Sequence, residues 1–284
     1  MLNSQPLGFY APAQLIDDAR RHDVPVRAID VNASQWDCTL EPSRDGRVAL
    51  RLGLRLVHRL SQAAVEPLLE ARRAAPFRSC RDLRHRVHLP RATWERLLEA
   101  GTLDAIEPDR RRAWWEMLEG DPATDLPLWG SSVEQDTMPH VVRPLDATER
   151  ILNDYRATGF SLRGHPMESV REGLRSRGVV CARELKRFSS GEVVRVAGLV
   201  LLRQRPSTAR GITFVTLEDE TGTVNLVVHQ TTWDRFREVA RTAPVWLARG
   251  KIETEAGVIH VVAFQLQDLA RHLGDLRARS RDFR

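Results

Sequence analysis

The feature that most limits what this chain can fold into is a change of hydrophobic period at Glu192. Beyond it, Val193 to Val200, Ile212 to Leu217, Thr223 to Val228, Val245 to Glu253 and Val258 to Gln267 each read as a short β-strand, rich in β-branched residues and bounded by turn residues. A helical stretch carrying Trp233 and Phe236, from Thr231 to Ala240, falls between the third strand and the fourth. Five strands with one helix in that place are the element order of an OB-fold, a small Greek-key barrel that binds single strands. Gly198 suits a strong bend or bulge in the first strand.

Ahead of Glu192 the pattern is mainly helical. Pro12 opens a short helix with Leu15, Ile16 and Ala19 on one face, and Asp30 to Ser34 is extended. So short a piece encloses no core and reads as the end of a domain whose body lies elsewhere. Val48, Leu50, Leu52, Leu54 and Leu56 alternate as a half-buried strand would. Ser61 is placed to cap a helix reaching about Arg73, which Pro67 should kink. Ser79 with Asp82 starts another. Pro90 opens a third, with Trp94, Leu97 and Leu98 on one face and Gly101 at its C′ position. A fourth runs from Asp109 through Leu118; helical pattern returns from Thr148 to about Gly159, and after FSLRGHPME a second helix runs to about Arg177. These patterns divide the chain at 1–46, 47–119, 120–145, 146–185, 186–273 and a polar, fraying tail, 274–284.

Charge sharpens that division. Arg47 to Trp115 holds 15 basic and 8 acidic residues, whereas Glu116 to Asp154 holds 2 basic and 9 acidic. All but two of the 43 basic residues are arginine, which forks onto phosphate and stacks on bases. In the barrel, Arg203, Arg205 and Arg210 lie in the loop between the first two strands, a loop that flanks the binding face of an OB-fold. Phe214 either stacks a base or fills the barrel, and Lys251 and His260 of the last hairpin are further candidates. In the helical block the turns at Arg59 and Arg91 can offer backbone N–H groups to phosphate. Leu126, Leu128 and Trp129 in the acidic linker either dock on a partner or pack back onto this chain.

Signatures of catalysis are poor. There is no phosphate loop, no GxGxxG, no HExxH and no GxSxG, and Cys38, Cys80 and Cys181 are too scattered for a zinc site. Asp17-Asp18 point apart on a helix, and Glu218-Asp219-Glu220 ends a strand at a turn, so neither gathers the convergent carboxylates of a two-metal centre. The opening residues have neither the basic start nor the apolar core of a signal peptide, and no apolar run is long enough for a membrane span, so a cytoplasmic protein is expected.

Several stretches, in order, resemble bacterial C-family DNA polymerases, and their error-prone branch most closely. LNSQPLGFYAPAQLIDDARRH and VNASQWDCTLE are similar to the end of that family's fingers, and LRLGLRLVHRLSQAAVEPLLEARR with LLEAGTLDAI to its helix-hairpin-helix region. GFSLRGHPME resembles the stretch leading into the C-terminal part, and LVLLRQRPSTARGITFVTLEDETGTVNLVV the OB domain. The resemblance implies an α+β chain, a helix-hairpin-helix-type helical region followed by a C-terminal five-stranded OB-fold β-barrel. It would hold single-stranded template and template-primer DNA for translesion synthesis. It implies a palm, with its Mg2+ ions, ahead of this segment, so no cofactor and no activity are expected of these residues alone. Arg59 stands where the family usually has glycine, and Leu126, Leu128 and Trp129 stand where its sliding-clamp motif lies. A free-standing single-strand-binding or adaptor protein is the competing reading.

Overall fold

The computed structural model describes residues 1–5, 11–43, 46–118, 143–206, 211–255, 257–270 and 281–283, in two compact units, Met1–Leu162 and Arg163–Arg284. The first unit opens with α1 (Pro12–Arg21) and a small sheet in the order β1 (Val26–Arg27), β3 (Val48–Arg51), β2 (Thr39–Pro42). The alternation from Val48 to Leu56 does not continue as one strand. β3 stops at Arg51, Ala49 is buried while Val48 is exposed, and Leu54–Leu56 form a 3-10 turn. Gly53 is the cause: a Cβ there would lie 2.4 Å from the Asp37 carbonyl carbon, so two backbone segments touch. Leu54 N and Arg55 N then donate to Gln35 O and Trp36 O, at 2.9 and 3.0 Å.

Helices α2 (Gln62–Ala74), α3 (Cys80–Arg86), α4 (Arg91–Glu99), α5 (Arg110–Leu118) and α6 (Ala147–Thr158) complete this unit. Ser61 and Ser79 cap α2 and α3, accepting from Ala64 N at 3.3 Å and Asp82 N at 3.1 Å. Pro67 lies on the exposed side of α2, and the helix runs through it to Ala74. α4 ends in a Schellman motif: Gly101 has φ +66, its N–H donates to Leu98 O, and Thr102 N donates to Leu97 O. Leu2, Ile16 and Val31 share one core with Leu54, Leu68, Leu83, Leu97 and Phe160. The opening residues were expected to lack a body; the helices supply it, and the core crosses the division expected at residue 46.

In the second unit, α7 (Arg171–Arg175) leads to β4 (Val179–Val180), which pairs with β5 (Val193–Gln204). β5, β6 (Thr213–Asp219), β7 (Gly222–Val228), β9 (Val258–Asp268) and β8 (Val245–Glu255) neighbour one another in that order, and β8 closes onto β5. β7 and β9 run parallel and the other four pairs of this ring antiparallel, a closed five-stranded barrel. The bulge in β5 falls between Val200 and Leu202, not at Gly198. Gly198 instead admits a close backbone approach, since a Cβ would lie 2.5 Å from Glu218 O. The expected single helix is two, α8 (Gln230–Arg235) and α9 (Arg237–Thr242), parted at Phe236 with φ −112 and ψ 33. Within the tail, Arg281–Phe283 form β10 alongside Leu202–Gln204, where fraying was expected.

The acids of the β6–β7 turn anchor the segment that precedes the barrel. The Arg171 guanidinium pairs with Glu220 (Nε–Oε1 2.5 Å, Nη2–Oε2 2.8 Å) and lies 3.3 Å from Asp219 Oδ2. Asp219 also accepts from Ala182 N at 2.7 Å and from Thr221 N at 2.7 Å. Burial raises the Glu220 pKa, but the hydrogen bond and charge of Arg171 outweigh it and hold the carboxyl below its ordinary range.

Candidate nucleic-acid interface

Alternation decides which barrel residues meet solvent. Val215, Leu226, Val261 and Ile252 are buried in the barrel core, so their chain neighbours face outward. Ladder pairing then sets Phe214, Val227, Val262 and Lys251 in a single row across four strands. The adjoining row is Thr216, Asn225, His260 and Glu253. Phe214 is 39% exposed, so it does not fill the barrel. It lines an open groove of about 740 Å³ together with Val227, His229, Lys251, His260 and Val262. His260 Nδ1 is closed off from solvent and has no hydrogen-bond partner among the described residues.

The arginines of the first loop separate. Arg203 is buried, donates from Nη2 to Ala243 O at 2.6 Å and lies over the Trp246 ring at 5.5 Å. Trp246 Nε1 donates to the same carbonyl at 3.1 Å. Arg203 therefore braces the barrel from within and is removed from the candidate contacts. It sits inside β5, where the strand runs past the loop boundary that the sequence suggested. Arg205 is exposed, and Arg210 lies outside the described residues.

In the helical unit Arg59 has φ +58, the left-handed conformation that glycine adopts without cost. Its turn is pinned on both sides: Arg96 Nη1 donates to Arg59 O at 2.5 Å, and His58 N to Ala157 O at 2.7 Å. The Arg59 side chain is exposed at the turn that leads into α2. Arg91 is exposed and pairs with Glu95 at 3.1 Å, so its charge is partly answered within α4. Leu126, Leu128 and Trp129 lie outside the described residues.

Sequence reasoning missed three outward residues of the barrel. Arg249 lies two positions before Lys251 on the same face of β8, directly opposite Arg195 of β5. Phe264 of β9 is 42% exposed, with the Arg249 guanidinium 5.6 Å from its ring centre. The signal was available, because Phe264 follows His260 and Val262 at the two-residue step.

Two family models match: a helix-hairpin-helix motif over residues 23–113 and an OB-fold nucleic acid binding domain over 194–269. The whole chain aligns with the error-prone DNA polymerase of Methylococcus capsulatus, 44% identical and covering 28% of that protein. It aligns equally completely with that of Anaeromyxobacter dehalogenans, 46% identical and covering 25%. The chain thus spans about a quarter of the length of these relatives. Among solved structures, asparaginyl-tRNA synthetase from Pyrococcus horikoshii matches 32% of this chain and 23% of its own at 22% identity, with a TM-score of 0.28. Along its full length the chain is homologous to the C-terminal part of the error-prone DNA polymerases, and its two domains are of nucleic-acid-binding types.

Proposed function

We propose that this chain is the DNA-holding portion of an error-prone polymerase, the barrel gripping single-stranded template and the helical unit the template-primer duplex during translesion repair synthesis. The observation that supports this best is the outward row in which Phe214 and Lys251 flank an open groove on a nucleic-acid-binding fold. An exposed aromatic offers a π-face to any base, and a nearby ammonium suits the phosphate. Among the described residues no three His, Cys, Asp or Glu side chains converge as metal ligands would, so these residues do not fit a magnesium pair. In this reading nucleotidyl transfer and its Mg2+ ions belong to a palm outside the segment. Leu126, Leu128 and Trp129 remain proposed as a sliding-clamp contact, and Arg59, Arg91, Arg205 and Arg210 as phosphate contacts. A cytoplasmic setting follows from the same reading; no described helix is long and apolar enough to cross a membrane.

The test is binding of labelled single strands and primed templates by the full chain across a salt series. Each phosphate neutralised on a single strand should add about −0.7 to the slope of log K against log salt. Salt-dependent binding of both forms is the expected result. Absence of binding at low salt, or nucleotide incorporation by the purified chain alone, overturns the reading.

A further inference from the structure

We propose that single-stranded DNA crosses the barrel toward a second stacking point, Phe264 with Arg249 and Arg195, rather than toward the tip of the β8–β9 hairpin; this rests on the reading of the barrel as a strand-binding module. The outward residues of β8 are, in order, Arg249, Lys251, Glu253 and Glu255, so one strand face passes from cationic to anionic along its length. Glu253 and Glu255 line the hairpin end of the groove and repel a phosphate backbone there. Arg195 and Arg249 face each other directly across β5 and β8, an arrangement of like charges that disfavours the sheet unless an anion lies between. Among the described residues neither arginine has a carboxylate partner within 4.0 Å; Arg195 Nη1 donates to Arg177 O at 2.9 Å, and Arg249 covers the Phe264 ring. An exposed phenylalanine under an exposed guanidinium presents two planar surfaces to a base.

The spacing selects the form of DNA. Phe214 and Phe264 stand two strands apart and two residues along, which at ordinary strand spacing and rise is about 12 Å between Cα atoms. Neighbouring stacked bases of a duplex strand are about 3.4 Å apart. Neighbours that close cover each other's faces, so one polynucleotide stacks on both rings only with its bases splayed, as in a single strand, with Lys251 and Arg249 beside the intervening phosphates.

The test uses the full chain and oligothymidylate in two lengths, a dinucleotide and a strand long enough to cross both rings. Phe264→Ala and Arg249→Glu should each weaken the longer strand on the order of ten-fold and leave the dinucleotide little changed, while melting temperatures hold. Iodouracil photocrosslinking should mark both Phe214 and Phe264. Loss in Phe214→Ala with none in Phe264→Ala or Arg249→Glu, or crosslinks at Phe214 alone, overturns the second stacking point and leaves the strand-binding reading intact. Crosslinks confined to the helical unit, with no barrel variant affected, overturn both.

Discussion

The arginines of the helical unit and those of the barrel surface do different work. In the helical unit most of those described are engaged with the protein itself. Arg27 and Arg51 share Glu41, at 2.7 and 3.1 Å, Arg55 meets Asp37, and Arg72 donates to Val31 O and Ser34 O. Arg110 is buried against Gly101, where a Cβ would clash with its guanidinium, and is gripped by Asp104 and Asp154 at 2.9 and 2.8 Å. On the barrel, Arg195, Arg249 and Lys251 stand outward without a carboxylate partner among the described residues. A basic block read from sequence thus overstates the charge a helical surface offers to DNA, because many of its arginines already answer carboxylates and carbonyls of the fold.

The sharpest way to break that contrast is to remove one arginine from each side. Arg110→Ala leaves two carboxylates facing a buried space and should cost about 4 kcal/mol in urea unfolding. Burial lowers the Arg110 pKa, but the hydrogen bonds and charges of Asp104 and Asp154 outweigh it and raise the net value, so the guanidinium is charged when folded. Arg249→Ala should change stability by no more than about 0.5 kcal/mol. Equal losses from both variants would erase the distinction.

A second test lies inside the barrel unit, where one arginine behaves like those of the helices. Arg171→Ala should destabilise this unit by about 3 kcal/mol, because Glu220 and Asp219 lose their partner. The pH dependence has a definite sign. The Glu220 pKa is lowered on folding, so its contribution is complete above the ordinary value of 4.5 and fades as pH falls through the lowered folded value. Glu220→Gln should flatten that acid-side decline, and an unchanged acid limb in thermal melts would count against the pairing.

Much of this was legible beforehand, and the failures have physical causes. The barrel's element order, the caps at Ser61 and Ser79 and the C′ glycine at 101 depend on local pattern, and the structure has each of them. Arg203 was misread because its surroundings are set by Ala243 and Trp246, some forty residues away in sequence. The Val48–Leu56 alternation failed for the same kind of reason: Gly53 marks a contact with Trp36 and Asp37 that periodicity does not encode. Arg171 went unread because its partners are acids at a turn, the place where acids are commonest. Phe264 lay in plain alternation, but its meeting with Arg249 depends on a bulge at which the ladder steps from Gln265 to Ala263 past it.

The smallest expected effect probes the helical side of the comparison at its most exposed point. Arg59 holds a left-handed backbone, which costs an L-residue with a side chain about 1 kcal/mol relative to glycine. The turn keeps that shape because Arg96 and Ala157 hold it from two sides. Arg59→Gly should therefore raise stability by about 1 kcal/mol, less the extra freedom glycine gives the unfolded chain. Its effect on duplex affinity decides what the arginine is for. If the turn meets phosphate through backbone N–H groups, the glycine variant binds as well or better, since the backbone can approach more closely. If the exposed guanidinium is the contact, affinity falls and the salt slope loses about 0.9. A stability gain with no change in either binding measure would make Arg59 a bystander and leave the barrel as the only tested route to DNA.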